Sequence, residues 1–508
     1  MFQHDSKILK RCTFAKLKTN NMSAEIRALE PKALWNKFAD LNEVPRPSKK
    51  EERVIQFMKD FGASLGFETI EDEVGNVIIK KPATSGMEDR KVIVMQSHLD
   101  MVHQKNNDTD FDFDTQGIQM YVDGDWVRAK GTTLGADNGL GVATIMAILE
   151  SSDIEHPAIE ALFTIDEETG MTGAMGLKGG VLSGDILLNL DTEEDDEIGV
   201  GCAGGIDVTA LRTYEQEETP EFKIGYKVTV KGLQGGHSGM QIQEGLGNAN
   251  KMMNRMLFDG FEKFGLRISE IDGGSLRNAI PRESNATVAI DTIHEDAFVS
   301  EMNDLANEIK IEYKTMEPDL VIEVSKTETP EHIMDLGVQE GLTRALYAAL
   351  NGVFRMSPDI PELVETSNNI ARVIVKDGNV KVGCLTRSSV ESSKWDLANG
   401  LRSTFELTGC EVEFGGDYPG WKPNMDSDIL KVMVPLYKEL NNGEEPHVAA
   451  CHAGLECGIL GTNYPDMDMI SFGPNIKGAH SPDERAQISS AQKYWNFVLE
   501  ILKRIPKK

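Results

Sequence analysis

The sequence predicts a two-domain α/β protein, with a mostly parallel sheet that carries helices on both faces and an inserted α+β domain. Three observations predict this fold class. Short, uninterrupted apolar segments are typical of strands buried on both faces, a segment of helical periodicity separates the first two, and the middle of the chain changes to alternating strands and helices. The 508 residues allow about two to four domains of roughly 150 residues each.

The first elements are a helix and a pair of strands. Globular patterning starts near Pro31 with the helical segment ALWNKFADL, and GFETIEDEVGNVIIKK predicts two short strands around a turn. The core strands are VIVMQ at 92–96, IEALFTI at 159–165, DILLNL at 185–190 and MDMISF at 467–472. The segment GLGVATIMAILESS between the first two repeats its apolar residues at helical spacing, so strand, helix and strand follow one another.

The pattern changes after Cys202, where strands such as YKVTVKGL and CEVEFGG alternate with helices such as NANKMMNRMLF. We therefore predict a core domain in two parts, 1–204 and 418–508. The inserted domain is 205–417 and is long enough for two βαβ-type units. Residues 1–21 are basic and lack the apolar segment of a secretory signal, so we expect a disordered tail or an extended start upstream of Met22.

The charge balance excludes two classes of partner. The chain has 82 acidic and 52 basic residues, a net charge of −30. Such a surface repels phosphate backbones and anionic lipids, which argues against nucleic acid and membranes. No apolar segment approaches the roughly 20 residues of a membrane span. The six cysteines are scattered without a CxxC pair, which indicates a reducing, cytoplasmic compartment.

Polar residues stand where the predicted core strands end. The carboxyl ends of parallel strands share one sheet edge, so these residues predict a single site there. An isolated HxD motif or acidic pair usually has no function, but a whole set at strand ends favours one. The candidates are His98 and Asp100 in QSHLDMV, Asp137 in GADNG, Glu167 and Glu168 in DEETG, Asp191 in NLDTEE and His480 in GAHSPDE.

This set of side chains suits two divalent metal ions, zinc first, with Mn²⁺ or Co²⁺ as alternatives. Two ions about 3.5–4 Å apart need a bridging carboxylate. Asp137 fits that role because glycines flank it and a helix follows. Asp100, on the same strand face as His98, would support the imidazole. Glu167 and Glu168 point in different directions, so one can bind metal while the other faces water as a general base.

The motifs SHLDMV, KGTTLGADNGLGVA, TIDEETGMTGA, NLDTEE, GGHSGMQI, GGSLRNAIPRE and GAHSPDE resemble those of the M20 metallopeptidase family. Within it they are most similar to the aminoacyl-histidine dipeptidases, the cytosolic non-specific dipeptidases of the PepD type. The resemblance runs from about residue 25 to the end. It implies a phosphorylase/hydrolase-like core, a lid domain, a cytoplasmic homodimer, and metal-dependent hydrolysis of dipeptides with free termini, Xaa-His included.

The resemblance also implies roles for the core residues. Glu167 would be the general acid and base, and Asp100 would support His98. The bond between Asp137 and Asn138 would be cis. The metal ligands would be His98 and Asp191 for one ion, Glu168 and His480 for the other, and Asp137 as the bridge.

Four positions of the inserted domain match lid residues of the family. His237 in GGHSG would stabilise the oxyanion, as a cationic or hydrogen-bond-donating imidazole. Asn278 and Arg387 would contact the substrate, and Arg387 would bind the C-terminal carboxylate of a dipeptide. The alternative for Arg387 is a surface ion pair. Gly454 in CHAGLECG would lie near the substrate backbone. Because a doubled lid could supply His237 within its own chain, action within one chain or across a dimer stays open.

Three other classes of function are compatible with parts of this pattern. An N-acyl-amino-acid deacylase or a tripeptidase would share the metal site and differ in the lid pocket. A binding or scaffold protein would not require Glu167 beside an intact set of ligands. A two-metal phosphoesterase is disfavoured because no basic phosphate clamp accompanies the motifs.

Overall fold

The computed structural model describes residues 24–508, so the expectation for residues 1–21 lies outside the described residues. The chain forms two compact units. The first contains the chain up to Gly201, Pro423–Ala449 and Ile459–Lys508, and the second contains Cys202–Lys422 and Ala450–Gly458. Within the described residues, no helix combines the length and the apolar character that crossing a membrane requires.

The first part of the chain contains the elements that carry most of the candidate metal ligands. In chain order they are α1 (Lys32–Asn42), α2 (Glu52–Ser64), β1 (Glu68–Glu71), β2 (Val77–Lys81), β3 (Ile93–His98), β4 (Met120–Asp123), β5 (Trp126–Ala129), α3 (Ala136–Glu150), β6 (Ile159–Thr164), α4 (Glu167–Gly170), α5 (Thr172–Gly176), β7 (Ile186–Asn189) and β8 (Glu197–Cys202).

The middle of the chain alternates longer strands with helices, as its patterning predicts. Its elements are β9 (Gly204–Thr213), β10 (Glu217–Glu218), β11 (Lys223–Lys231), α6 (Ala249–Phe264), β12 (Arg267–Gly274), β13 (Ser284–Asp291), α7 (Glu295–Glu312), β14 (Val321–Lys326), β15 (His332–Ile333), α8 (Leu336–Ala348), β16 (Gly352–Met356), β17 (Val364–Lys376), β18 (Asn379–Ser388), α9 (Glu391–Glu406) and β19 (Glu411–Tyr418), with short 3-10 helices at Ile242–Glu244 and Thr292–His294.

The last part of the chain adds most of its strands and helices to the first unit. Its elements are α10 (Asp428–Leu440), β20 (His447–Cys451), α11 (Glu456–Asn463), β21 (Asp468–Ser471), β22 (Ile476–Lys477), β23 (Arg485–Gln487) and α12 (Ile488–Arg504). The end of β20 and the start of α11 belong to the second unit.

The main sheet of the first unit has the strand order β1-β2-β6-β3-β7-β21-β8-β20. The neighbours β6, β3, β7 and β21 are parallel, whereas β1 and β2 on one side, and β8 on the other, pair antiparallel. Strands β3, β6 and β7 are buried along their whole length, which explains their uninterrupted apolar sequences. The prediction of an α/β fold with a mostly parallel sheet is confirmed.

The second unit contains an antiparallel sheet with the order β14-β11-β13-β12-β17-β18-β9-β19, and β16 pairs with β17. The sheet consists of two βαββαβ motifs. One motif runs β11-α6-β12-β13-α7-β14. In the sequence it is inserted after the first strand of the other motif, which runs β9-α8-β17-β18-α9-β19. The two βαββαβ motifs join where β12 pairs with β17. Apolar residues of both, such as Val228, Phe298, Val373 and Phe405, form one buried cluster.

Candidate active site

Most of the candidate metal ligands lie at or just after the ends of three parallel strands, and His480 lies in a connecting loop. His98 is the last residue of β3, Glu167 and Glu168 open the helix after β6, and Asp191 comes two residues after β7. His480 lies in the loop between β22 and β23. Because β6, β3 and β7 run parallel, their carboxyl ends meet at one edge of the sheet.

Asp137 lies between the two histidines. Its Oδ1 is 3.2 Å from Nε2 of His98, and its Oδ2 is 3.2 Å from Nε2 of His480. His98 Nε2 is also 3.5 Å from Asp191 Oδ1, and His480 Nε2 is 3.0 Å from Glu168 Oε2. The five side chains therefore form two trios that share Asp137, and within each trio the potential ligand atoms lie within 4.8 Å of one another.

The two trios have the chemistry and spacing of a metal pair. Ligands at 2.0–2.1 Å around a tetrahedral zinc are roughly 3.3 Å apart, which is close to the separations above. Glu168 Oε1 is buried and, within the described chain, has no hydrogen-bond partner. A buried carboxylate oxygen without a partner is costly unless a cation binds it. The residues present therefore fit two divalent ions.

The site gathers more negative charge than its buried position favours. Burial raises the pKa of Asp191 to about 6 and that of Glu193 to about 8. Hydrogen bonds to Asp137 and Glu168 raise the pKa of His480 to about 11. Burial lowers the pKa of His98, but nearby carboxylates, Asp191 first, outweigh it and the net shift is upward. Divalent cations bound among these carboxylates would compensate the same negative charge.

Asp100 reaches the imidazole of His98 by a route other than the expected one. The sequence interpretation placed both on one strand face, which is wrong because β3 ends at His98. The chain turns instead, and Nδ1 of His98 lies 3.2 Å from the main-chain oxygen of Asp100 and 3.4 Å from its Oδ1. The Asp100 carboxylate also accepts hydrogen bonds from the N–H groups of Glu167 (3.0 Å) and Glu168 (3.4 Å).

The backbone around Asp137 is irregular. Gly135 has a left-handed φ of 68°, and Asp137 and Asn138 have non-helical dihedral angles at the start of α3. The peptide bond between Asp137 and Asn138 is cis, as the family resemblance implies. The side-chain amide of Asn138 donates to Asp191, so neighbouring residues of one segment contact both Asp191 and the histidines.

Glu167 opens helix α4 beside Glu168, and its carboxylate comes together with His98 and Glu168 in a third group of neighbouring ligand atoms. Its main-chain N–H is fixed by Asp100. Glu168 belongs both to this group and to the trio of His480, whereas Glu167 joins Glu168 beside His98.

His237 lies in the second unit, in the loop after β11. Its Nδ1 accepts hydrogen bonds from the N–H groups of Gly239 (3.2 Å) and Met240 (3.0 Å). Because Nδ1 is an acceptor, the proton of the neutral ring is on Nε2. Burial and the charge of Arg387 lower the pKa of His237 to about 4. Both observations favour a neutral ring that donates through Nε2, one of the two forms expected for this imidazole.

Arg387 is on β18 and only 4% exposed. The alternative of a surface ion pair is therefore wrong. Its Nη1 donates to the hydroxyl of Tyr418 at 2.8 Å, and its Nε has no hydrogen-bond partner in the part of the chain that the structure describes. A buried guanidinium with an unused donor is suited to bind an anionic group.

Asn278 and Gly454 lie on segments next to the His237 loop. The main-chain oxygen of Asn278 accepts a hydrogen bond from the N–H of Ser238 at 2.8 Å. Gly454 is in the loop between β20 and α11, and the main-chain oxygen of His452 in that loop packs against Gly239. The structure thus brings the segments of all four predicted lid positions together within the second unit.

Three buried polar residues near the candidate positions were missed by the sequence interpretation. His452 is 5% exposed, its Nε2 is 2.7 Å from Ser367 Oγ, and burial lowers its pKa to about 3. Arg46 and Glu484 are 1% and 2% exposed and contact the segment that precedes Asp137. Glu484 is the last residue of the motif GAHSPDE, from which only His480 was taken as a candidate.

The chain has relatives among known peptidases. Residues 94–504 match the sequence profile of peptidase family M20/M25/M40. The chain is 44% identical over 485 residues to the cytosol non-specific dipeptidase of Escherichia coli (strain K12), which covers 96% of this chain and 100% of the relative.

Solved structures show the same likeness. The crystal structure of an aminoacylhistidine dipeptidase from Vibrio alginolyticus superimposes with a TM-score of 0.89 at 45% identity, covering 95% of this chain and 99% of the other. An aminopeptidase from Bacillus cereus, with a TM-score of 0.55 and 16% identity over 94% of this chain and 99% of its own, has the same fold.

Proposed function

The chain belongs to peptidase family M20/M25/M40, and we propose that it is a metal-dependent dipeptidase for dipeptides with free termini, including Xaa-His. The observation that carries this proposal is the position of Asp137, whose two carboxylate oxygens each face a different histidine. Similarity over almost the full length to two dipeptidases supports dipeptides as the substrate class.

We propose two divalent ions, most simply zinc, with Mn²⁺ or Co²⁺ as alternatives. His98 and Asp191 would hold one ion, Glu168 and His480 the other, and Asp137 both. Such ions supply a polarised scissile carbonyl and a water acidic enough to become a nucleophile at neutral pH.

Glu167 is the proposed general base and general acid. Its carboxylate takes a proton from the attacking water and later gives a proton to the leaving amine, so that one water is consumed and the C–N bond breaks. The Asp100 carboxylate contacts the N–H of Glu167 and the ring of His98, and therefore fixes the position of Glu167 relative to His98. Proton transfer by Glu167 is efficient only when this geometry is fixed.

The second unit would bind the substrate. Nε2–H of His237 is the proposed donor to the oxyanion, and its fixed tautomer needs no reorganisation during the reaction. Arg387 would pair with the C-terminal carboxylate of the dipeptide. Asn278 and Gly454, on the neighbouring segments, would contact the substrate backbone. Recognition of the free C-terminal carboxylate by Arg387 would limit substrates to very short peptides.

The domain division belongs to the same proposal. Residues 1–204 and 418–508 would form the catalytic domain and 205–417 the lid. By analogy with the cytosolic relative from Escherichia coli, we place the protein in the cytoplasm. We further propose a homodimer.

The testing experiment is hydrolysis by the purified protein after metal removal with a chelator and after restoring zinc, manganese or cobalt. The substrates are free dipeptides including Xaa-His, a tripeptide and an N-acetyl amino acid. We expect metal-restored cleavage of the dipeptides alone. Cleavage of only the N-acetyl compound or only the tripeptide would replace dipeptidase by deacylase or tripeptidase, and no cleavage after metal uptake would refute the proposal.

A further inference from the structure

The segment Leu134–Asp137, which presents the central carboxylate of the site, is held by a buried carboxylate on its N–H side. Glu484 Oε2 accepts from the N–H groups of Leu134 (2.6 Å) and Gly135 (3.0 Å). Its Oε1 accepts from those of Ala136 (2.7 Å) and Asp137 (3.2 Å). One side chain therefore satisfies consecutive N–H groups that would otherwise be buried without partners.

Glu484 also connects this segment to His480. The two residues belong to one tight turn, in which the N–H of Glu484 donates to the main-chain oxygen of Ser481 at 3.0 Å. The next residue begins β23, which pairs with β5 and is thereby anchored. The histidine and the aspartate that face each other across the site are thus tied through a single carboxylate, although they are far apart in the sequence.

A buried guanidinium holds the same segment on its carbonyl side. Arg46 Nη2 donates to the main-chain oxygen of Gly135 (2.5 Å), and Nη1 donates to those of Leu99 and Asp100 (3.1 Å each). The Leu99–Asp100 segment directly follows His98. Arg46 therefore links the backbone that presents His98 to the backbone that presents Asp137.

The glycines of the GADNG motif leave room for this guanidinium. A Cβ on Gly135 would lie 2.5 Å from Arg46 Nη2, and a Cβ on Gly139 would lie 2.6 Å from the same atom. Gly135 in addition has a positive φ. The motif is thus glycine-rich on both sides of Asp137 partly because a distant arginine passes between its backbone and α1, where Asn42 accepts from Nη2 at 3.1 Å.

We propose that Arg46 and Glu484 are a buried pair of positioning residues that fix Asp137 between His98 and His480 before any metal binds. Neither belongs to the two trios of candidate ligands. Their contribution is to metal affinity, because a preformed arrangement loses less conformational freedom when the ions bind. This inference rests on the proposed metal site.

The test is the dissociation constant of zinc, measured by competition with a chelating dye. Glu484→Gln keeps the size of the side chain but points an NH₂ group at two N–H donors, so we expect about 10- to 100-fold weaker zinc binding. Arg46→Lys keeps the charge but cannot reach all three carbonyl groups, and we expect a loss in the same direction. At saturating zinc both variants should recover the kcat of the unaltered protein.

The matched control is Glu160→Gln. Glu160 is 4% exposed and accepts hydrogen bonds from the N–H groups of Ser183 (2.7 Å) and Gly184 (3.0 Å) at the opposite end of the parallel strands. It has a similar structural role away from the site, so its zinc affinity should not change. The proposal would be overturned if Glu484→Gln bound zinc as tightly as the control and the unaltered protein. It would also be overturned if the control lost zinc affinity to the same extent as Glu484→Gln.

Amide hydrogen exchange of the unaltered protein tests the same idea if the variants do not fold. We expect residues 134–137 to be protected equally in the metal-free and zinc-loaded protein. Fast exchange that only zinc suppresses would overturn the proposal. Both readouts measure zinc binding and backbone order, not catalysis. If the variants bind zinc more weakly but the unaltered protein cleaves no dipeptide, the proposed function is refuted and the positioning role of Arg46 and Glu484 is retained.

Discussion

Glu167 and Glu168 are chemically identical neighbours with different surroundings, so they allow a direct separation of roles. We predict that Glu167→Ala lowers kcat about 10²- to 10⁴-fold, the range for loss of a general acid–base group, with metal content unchanged. Glu168→Ala is the matched control and should lose metal, because its Oε2 faces His480 at 3.0 Å. Metal analysis of both purified variants decides. Metal loss from Glu167→Ala would make Glu167 a ligand.

His237 gives a prediction for pH dependence. Its pKa is lowered to about 4, below the ordinary value of 6.5, so the folded protein holds it neutral between pH 5 and pH 8. The acidic limb of kcat/KM should therefore lie at the same pH in the unaltered protein and in His237→Gln, which keeps a donor. His237→Ala should lose about 10²- to 10³-fold in kcat. A limb that shifts in His237→Gln would mean that a charged imidazole acts.

Among single residues, the sequence predicted that His98, Glu167, Glu168 and Asp191 meet, because polar residues at the ends of parallel strands share an edge. It could not predict Arg46 or Glu484. Both are charged residues that, in a sequence, are ordinary surface groups, and only the fold buries them against distant main-chain atoms. The tautomer of His237 was also hidden, since the N–H groups of Gly239 and Met240 determine it.

Helix α3 gives a prediction at the scale of an element. Replacing a helical glycine by alanine usually stabilises by up to about 1 kcal/mol. A Cβ on Gly141, however, would lie 2.7 Å from the main-chain oxygen of Leu190, next to Asp191. We predict that Gly141→Ala lowers the free energy of unfolding by about 1–3 kcal/mol.

The control for that change is Gly400→Ala in helix α9, where a Cβ would meet nothing within 4 Å. It should be neutral or stabilising. Urea denaturation of both variants measures the difference. Equal effects of the two substitutions would show that the close approach of α3 to Leu190 does not constrain residue 141.

Elements with strong periodicity were predictable, and connections were not. The continuous apolar segments correctly gave β3, β6, β7 and β21, because burial on both faces imposes that composition. The sequence did not show that β3 ends at His98, so the expectation that His98 and Asp100 share one strand face was wrong. The sheet order of the second unit also depends on pairings between distant strands, such as β9 with β18, that no local pattern encodes.

At the scale of the whole molecule, His237 serves either its own chain or the partner in the proposed homodimer. Mixing Glu167→Ala with His237→Ala tests both. If His237 acts across the dimer, random exchange of subunits should restore about a quarter of the original activity, since one site in each mixed dimer is intact. If it acts within its own chain, no activity returns. A monomer in sedimentation experiments would refute the dimer.

The order of strands along the chain also has a consequence for synthesis. Strand β21 lies between β7 and β8 in the sheet, yet it and His480 come from the end of the chain. At about 5–20 residues per second, a ribosome needs roughly 15–60 s to travel from Asp191 to His480. Until then the nascent polypeptide has an incomplete ligand set. We expect ribosome-arrested chains that stop before His480 to be inactive at any zinc concentration, so a cell would gain this peptidase only from finished chains.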